Sequence, residues 1–298
     1  MSIMFSIIIP SYNNLNYLKI CIKSLRRNSK YNHQIIVHVN EGSDGTINFL
    51  DTENIDYTYS SKNIGLCKAV NLAASKSSRE YIVYSHDDFY FCPLWDEYFF
   101  NEIKSIGHEN FYISGTMFHE FEGKNLFCGS NYKNFDERML LNNYKKIKFS
   151  DFQGSTWSPH IVHKNIWNKV GGYSEEFFPG AGSDPDFAMK LWTEKVRIFK
   201  GLGKCLVYHF GSKTLRNKLP KKLSDNLGSN SSKIFLKKWK ITINFFKNFY
   251  LRSGIDKDKK QIFNKYNGPL NEPIKNISYF SRLLLCKVKY LYLKLIRF

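Results

Sequence analysis

Glu80-Tyr81-Ile82-Val83-Tyr84-Ser85-His86-Asp87-Asp88-Phe89-Tyr90-Phe91 is an apolar, β-rich run that delivers two adjacent carboxylates to its C-terminal end and then stops. In an open α/β sheet, ligands bind outside the carboxyl ends of the strands, so a pair of acids there stands where chemistry is expected. Adjacent carboxylates repel unless a cation lies between them, and hard oxygen donors suit Mg²⁺ or Mn²⁺ carrying a phosphate. The bland alternative is a solvated Asp-rich turn.

Upstream, residues 5–10 read as a fully buried strand. The polar turn Ser11-Tyr12-Asn13-Asn14 then leads to a helix with Leu18, Cys21, Ile22 and Leu25 at helical spacing. A second strand at 34–39 ends in the polar turn 40–46, and a short helix follows. A brief strand at 56–59 leads through Lys62-Asn63-Ile64-Gly65 to a helix over 66–75 with Leu66, Ala69, Val70 and Ala73 on one face. Strand and helix alternate as in a doubly wound sheet, and the polar turns converge at its C-terminal edge. A helix is expected over 95–106 and a strand over 111–118. The stretch 119–149 is irregular and is assigned no element.

Order returns at Asp151-Phe152-Gln153-Gly154-Ser155-Thr156-Trp157 and in a helix from 164. In Gly180-Ala181-Gly182-Ser183-Asp184-Pro185-Asp186-Phe187, Asp before Pro predicts a helix start with Asp184 as N-cap, Pro185 at N1 and Asp186 at N2. A glycine-rich loop that hands an acid to a helix start can hold a carboxylate at a cleft; alternatively Asp184 only caps. A strand over 205–212 carries His209, whose ordinary reading is structural or solvated.

The 298 residues, 43% hydrophobic, suffice for one large domain or a domain with an appendage. The net charge of +18 is unevenly spread: residues 211–298 hold 21 Lys and Arg against 4 Asp and Glu, so the first two thirds are nearly neutral. That step divides the chain into 1–211 and a basic, mainly helical extension, 212–298. Six scattered cysteines show neither zinc spacing nor a disulfide framework, which implies a reducing compartment. The N-terminal apolar run, broken at Pro10-Ser11-Tyr12-Asn13, is not a signal peptide, and no stretch has the roughly 20 apolar residues of a spanning helix, so a cytoplasmic protein is expected.

In the extension, Arg282, Lys287, Lys289, Lys294 and Arg297 fall within roughly 160° of a helical wheel, opposite Leu284, Val288, Leu291, Tyr292, Leu295 and Ile296. Two readings stand. The helix lies on an anionic membrane, peripheral on its inner face, or its apolar face packs on the catalytic domain and the basic face is merely solvated. Nucleic acid is not the expected partner, since no binding motif is recognisable.

Ile7-Ile8-Ile9-Pro10-Ser11-Tyr12-Asn13, the 40–46 turn, Asn63-Ile64-Gly65 with Lys68 and Asn71, and His86-Asp87-Asp88 resemble, in order and spacing, the signature segments of family 2 glycosyltransferases. The resemblance covers most of 1–211 and none of the extension. It implies an α/β GT-A fold, a Rossmann-like mixed sheet with helices on both faces, in which 1–118 binds a nucleoside diphosphate sugar and 119–211 forms the acceptor and catalytic half. It implies that Pro10, Ser11, Tyr12, Asn40, Glu41, Asn63, Gly65, Lys68 and Asp87 belong to the donor site. By the same resemblance Asp88, with His209, holds Mn²⁺ or Mg²⁺. Gly171-Gly172-Tyr173 and the acidic pair resemble the segment of the general base, with Asp184 in its place and inversion at the anomeric carbon as outcome. Three departures are evident: Asn40-Glu41 where consecutive aspartates are usual, His86 for the first Asp of the metal motif, and Ser183 for a Glu. Asn40, having both donor and acceptor, can still address a base edge. The acceptor is expected to be a cell-surface or lipid-linked glycan. The departures leave one rival, a nucleotide-sugar-binding relative without catalysis, and the basic extension leaves a second, a protein whose tail binds membrane or nucleic-acid surfaces.

Overall fold

The computed structural model of the chain describes residues 5–118, 126–211, 221–254 and 264–296, with only the backbone of 221–227. The first part of the unassigned stretch (119–125), the start of the extension (212–220), part of its polar break (255–263) and Arg297 lie outside the described residues.

Strand β1 (Phe5–Tyr12) is central, and its alternating side chains serve two layers. Phe5, Ile7 and Ile9 pack with Leu18, Cys21, Ile22 and Leu25 of α1 (Leu15–Asn28) and with Trp95, Phe99 and Ile103 of α4 (Trp95–Ile106). Ile8 points the other way, into the cluster that holds Cys67, Val70 and Ala73 of α3 (Leu66–Ser75). A strand buried on both faces reads as a near-continuous apolar run, and the one polar residue within 5–10, the fully buried Ser6, donates its hydroxyl to Gln34 Oε1 at 2.7 Å. Parallel to β1 lie β2 (Gln34–Asn40) and, on its other side, β4 (Tyr81–Tyr84); β3 (Asp56–Ser60) extends the sheet beyond β2, after α2 (Thr46–Thr52).

The opening stretch does not stop at its carboxylates. The chain turns through residues 85–88 and resumes as β5 (Phe89–Phe91), antiparallel to the last strand, so the acids sit in a turn gripped by a strand on either side. The second half makes the sheet mixed. Among the described residues it has nine strands: β6 (Phe111–Phe118), β7 (Phe152–Gln153), β8 (His160–His163) and β9 (Ile198–His209) complete it in the order β3-β2-β1-β4-β8-β6-β9-β5, with β7 beside β9. β8 is antiparallel to both β4 and β6. The stretch left unassigned contains a short helix, α5 (Glu137–Asn143). α6 (Lys164–Val170) and α7 (Ser183–Thr193) cover the face shared with α3.

The extension packs on that same face. It contains α8 (Lys221–Trp239), α9 (Ile243–Phe245) running into a π-helical turn (Phe246–Tyr250), and α10 (Ile277–Leu295). Phe235, Phe245, Phe246, Phe249 and Leu251 share one core with Val70, Trp167, Phe187 and Trp192. The backbone also docks, since Gln153 N donates to Asn264 O and Tyr266 N to Asp151 O, each at 2.8 Å. Among the described residues no helix is long and apolar enough to cross a membrane. All six cysteines are free and buried.

Candidate functional site

The C-terminal ends of β1, β2 and β4, the 63–66 segment and the loop before α7 surround one cavity. Its wall includes Pro10, Ser11, Tyr12, Asn40, Asn63, Tyr84, His86, Asp87, Asp88 and Asp184, with residues 179–182 as its opposite rim. Of the expected donor-site residues, Glu41, Gly65 and Lys68 stand outside this wall. Glu41, at φ 63°, accepts from Asn13 Nδ2 at 3.2 Å, and Lys68 is exposed on α3. Gly65 starts α3 at φ 81°, and a Cβ there would lie 2.5 Å from the Phe178 ring, so this position admits no side chain.

Local pairings explain how the polar turns are held. Asn14 is the N-cap residue of α1 but its side chain caps no N–H; its Nδ2 donates to Asp87 Oδ1 at 3.0 Å, while Ser11 Oγ donates to Asp87 Oδ2 at 2.8 Å. Both oxygens of Asp87 therefore tie the acidic turn to β1 and α1. The free helix end is served instead by Asp44, whose Oδ2 accepts from Leu15 N at 2.8 Å. Asn40 is 3% exposed, and its Oδ1 accepts from Ile64 N at 3.0 Å and Ser60 Oγ at 3.2 Å. The expectation that Asn40 offers a ligand both donor and acceptor is thereby corrected: its acceptor is spent on the segment that carries Asn63.

Asp88 points to two imidazoles. Its Oδ2 is 3.3 Å from His209 Nε2 and its Oδ1 is 4.0 Å from His86 Nδ1. One potential ligand atom from each of the three residues lies within 4.8 Å of the others. Burial pushes His86 down to about 4, with Asp88 opposing and His209 adding to the fall, so the ring is neutral at pH 7. His86 Nε2 lies 2.8 Å from Ser158 Oγ. A proton held on Nε2 by that hydroxyl leaves the Nδ1 lone pair on the side of Asp88, the tautomer a metal ligand needs. Two imidazoles and one carboxylate fit a divalent ion, and they fit Mn²⁺ or another first-row transition metal better than Mg²⁺, which demands oxygen donors. His86, a departure in sequence, is thus a third candidate ligand. Its signal was the histidine itself, two positions from Asp88.

Across the cavity, the start of α7 differs from the predicted one. The N-cap is Gly182, at φ 79°, and Asp184 lies inside the first turn. The first intrahelical bond runs from Asp186 N to Gly182 O, so Pro185 occupies a position whose N–H would find no partner within the helix, which is why proline fits there. Asp184, freed from capping, accepts from Tyr173 Oη at 3.0 Å. Burial raises its carboxyl to about 6, against the lowering effects of the Tyr173 bond and of Lys247. Lys247, in the π-helical turn, is itself pushed down by burial, with Asp184 opposing. It went unrecognised in the sequence because it is one lysine of a basic tail, far from Asp184 along the chain.

Asp186 faces the other way and is fully buried. It accepts from Ser174 Oγ at 2.6 Å, from Trp239 Nε1 at 2.7 Å and from Lys238 Nζ at 3.0 Å. The two acids of the motif therefore divide their work, one toward the cavity and one into the extension. A carboxylate that titrates near neutrality opposite a candidate metal cluster, in a cleft lined by strand-end amides and hydroxyls, can take a proton from a nucleophile while a phosphate-bearing group is held across from it.

Comparisons with known proteins bear on the fold and the family. An uncharacterized glycosyltransferase of Rickettsia bellii (strain RML369-C) is 33% identical over 132 residues, covering 41% of this chain and 18% of that protein, so the chain spans under a fifth of that relative's length. Residues 1–349 of S. aureus TarS superpose with a TM-score of 0.54 at 14% identity, covering 82% of this chain and 74% of that one. Their complex with UDP-GlcNAc gives 0.52 at 13% identity over 78% and 72%. Those likenesses establish the GT-A fold, and the family model for glycosyl transferase family 2 matches residues 6–164, more than half of the chain. The chain belongs to glycosyl transferase family 2.

Proposed function

We propose that this protein transfers a hexosyl group, with inversion, from a nucleoside diphosphate sugar to a hydroxyl of a cell-surface or lipid-linked glycan, as a step of polysaccharide synthesis. The observation that carries the reading is the single cavity in which Tyr12, Asn40 and Asn63 meet His86 and Asp88 and face Asp184, with His209 behind Asp88 and outside the cavity wall. Tyr12 and Asn63 border the space for the nucleoside, and Asp87 keeps the acidic turn in register through Ser11 and Asn14. His86, Asp88 and His209 would hold Mn²⁺; a bound divalent ion supplies Lewis-acid neutralisation of the charge gathering on a leaving diphosphate. With a carboxyl near 6, Asp184 is roughly nine-tenths ionised at pH 7. One of its oxygens is oriented by the Tyr173 hydroxyl, and the other is left to accept the proton of the attacking acceptor hydroxyl. Lys247 favours the charged form of that carboxylate.

The TarS complexes with UDP-GlcNAc and with UDP make UDP the first nucleotide to try. A thermal-shift screen with UDP, GDP, CDP and dTDP, each with and without Mn²⁺ or Mg²⁺, tests the donor site, since any ligand that binds only the folded state raises the midpoint. A rise for one nucleotide that needs metal is expected. No rise with any of them overturns the reading. A rise without turnover on any acceptor would make the chain a donor-binding relative and not a catalyst.

A further inference from the structure

Helix α10 (Ile277–Leu295) has three sides, where its sequence suggested two. One narrow side faces the protein: Tyr279, Cys286 and Leu293 are buried, with Leu283 and Tyr290 half-buried between them. Tyr279 packs against Phe245, tilted, and Phe249, edge to face, with ring centroids 5.1 and 5.4 Å away, and Cys286 meets Thr242. At about 100° per residue, the side directly opposite carries Phe280, Leu284, Val288, Leu291, Tyr292 and Leu295. All are exposed, Leu284 at 62% and Leu295 at 82%. The cations sit on the two borders between these sides. Lys287 and Lys294 flank one edge and Arg282 and Lys289 the other, and all four are exposed. The apolar side therefore does not pack on the catalytic domain, and the basic residues lie astride it.

We propose that α10 anchors the protein to an anionic phospholipid bilayer, its outward apolar side set among the headgroup-proximal segments of the acyl chains and its four cations at headgroup level on both borders. Fixed apolar exposure along five helical turns is costly in water and is relieved in the interfacial layer, where Lys and Arg stems reach outward to the phosphates. Charge selects this occupant over a second copy of the chain. α10 contains no acid, so pairing two such helices side by side would set rows of lysine and arginine against each other with nothing to neutralise them. Anionic lipid neutralises them directly. Since Tyr279 packs on the segment that carries Lys247, the anchor joins the acceptor side of the cleft to a surface where a lipid-linked glycan is held, a consequence that rests on the function proposed above.

The test is co-sedimentation of the full chain with vesicles of phosphatidylcholine alone or with about a third phosphatidylglycerol. The wild type should bind the anionic vesicles. Leu284→Gln/Leu291→Gln/Leu295→Gln should weaken this by at least about 100-fold, and Lys287→Gln/Lys289→Gln by roughly 30-fold on anionic vesicles only. These side chains are exposed, so the melting temperature should stay within a degree or two of the wild type. Absence of wild-type binding, or triple-variant binding equal to wild type, overturns the proposal. A wild-type dimer in sedimentation equilibrium that the leucine variant dissolves, without vesicle binding, would assign the apolar side to a second copy. Nucleotide thermal shifts on the same preparations report on the donor site separately, so failure of the anchor and failure of the transferase reading are told apart.

Discussion

Replacing Asp184 with Asn should make the protein more stable while removing its activity. Folding raises this carboxyl from 3.8 to about 6, with desolvation the largest cause. A carboxyl raised on folding holds its proton longer in the native state than in the unfolded chain. Ionised Asp184 therefore costs stability: nothing well below pH 4, a growing amount between 4 and 6, and the full amount above that. About two pH units at 1.36 kcal/mol each give about 3 kcal/mol, and the side chain's partial opening to the cleft lowers this to about 2 kcal/mol. Asparagine does not titrate and can still accept from Tyr173. Urea unfolding should therefore show Asp184→Asn gaining on the wild type as pH rises from 4 to 7, to a plateau of about 2 kcal/mol at pH 8. Sugar transfer at pH 7.5 should fall by about 10²- to 10⁴-fold. If Asp184 were only a favourable charge near a helix N-terminus, the variant would instead lose roughly 0.3–1 kcal/mol at pH 8. A destabilised variant, or a gain independent of pH, would refute the argument that this acid is held under strain for chemistry.

Asp186→Asn should cost about 2–4 kcal/mol, because it removes the charge that accepts from Ser174, Trp239 and Lys238, although Lys238 keeps Glu176 at 2.9 Å; an unfolding midpoint within about 1 kcal/mol of wild type would show that the extension is not held through this carboxylate. Tyr173→Phe deletes a hydroxyl that favours ionised Asp184, so the acid limb of the pH–rate profile should move upward from about 6, by up to about one pH unit; an unmoved limb would assign that titration to another group. His86→Ala should weaken Mn²⁺ binding, read by titration with Mn²⁺ electron paramagnetic resonance, by at least about 10-fold, and unchanged affinity would leave Asp88 and His209 as the protein's share of the site.

Apart from β5, the half of the fold that ends at 118 was legible because its elements declare themselves locally. The buried parallel strands are near-continuous apolar runs, broken only by Ser6 within 5–10 of β1 and by His38 within 35–39 of β2, the helices keep their spacing, and the turns are polar. β8 escaped because His160-Ile161-Val162-His163 is only four residues long with a histidine at each end, and its place between β4 and β6 is fixed only by pairing with strands distant in sequence. The continuation at β5 escaped for a related reason: Phe89-Tyr90-Phe91 reads as the tail of one strand until β9 claims it. In the extension, the charge step drew attention to the cations, while residues such as Phe235, Phe246 and Leu251, scattered among them, join the main core. Composition records how much charge a segment carries, and only packing decides where its apolar residues go.

The start of α7 shows how a correct motif can be read with the wrong geometry. Asp-Pro-Asp marks a helix N-terminus, and the helix is there. What local sequence could not supply was the left-handed Gly182, where a Cβ would come within 2.7 Å of Ser231 from α8. With glycine as the cap, neither acid is needed for capping. Two residues apart on a helix, they project about 200° from one another, one toward the cavity and one toward Trp239 and Lys238. The same turn thus exposes a carboxylate to the cleft and fastens its own backbone to the extension. On the role proposed for Asp184, the extension would act on the chemistry in two ways, through Asp186 by fixing the helix that carries Asp184 and through Lys247 by favouring its charged form.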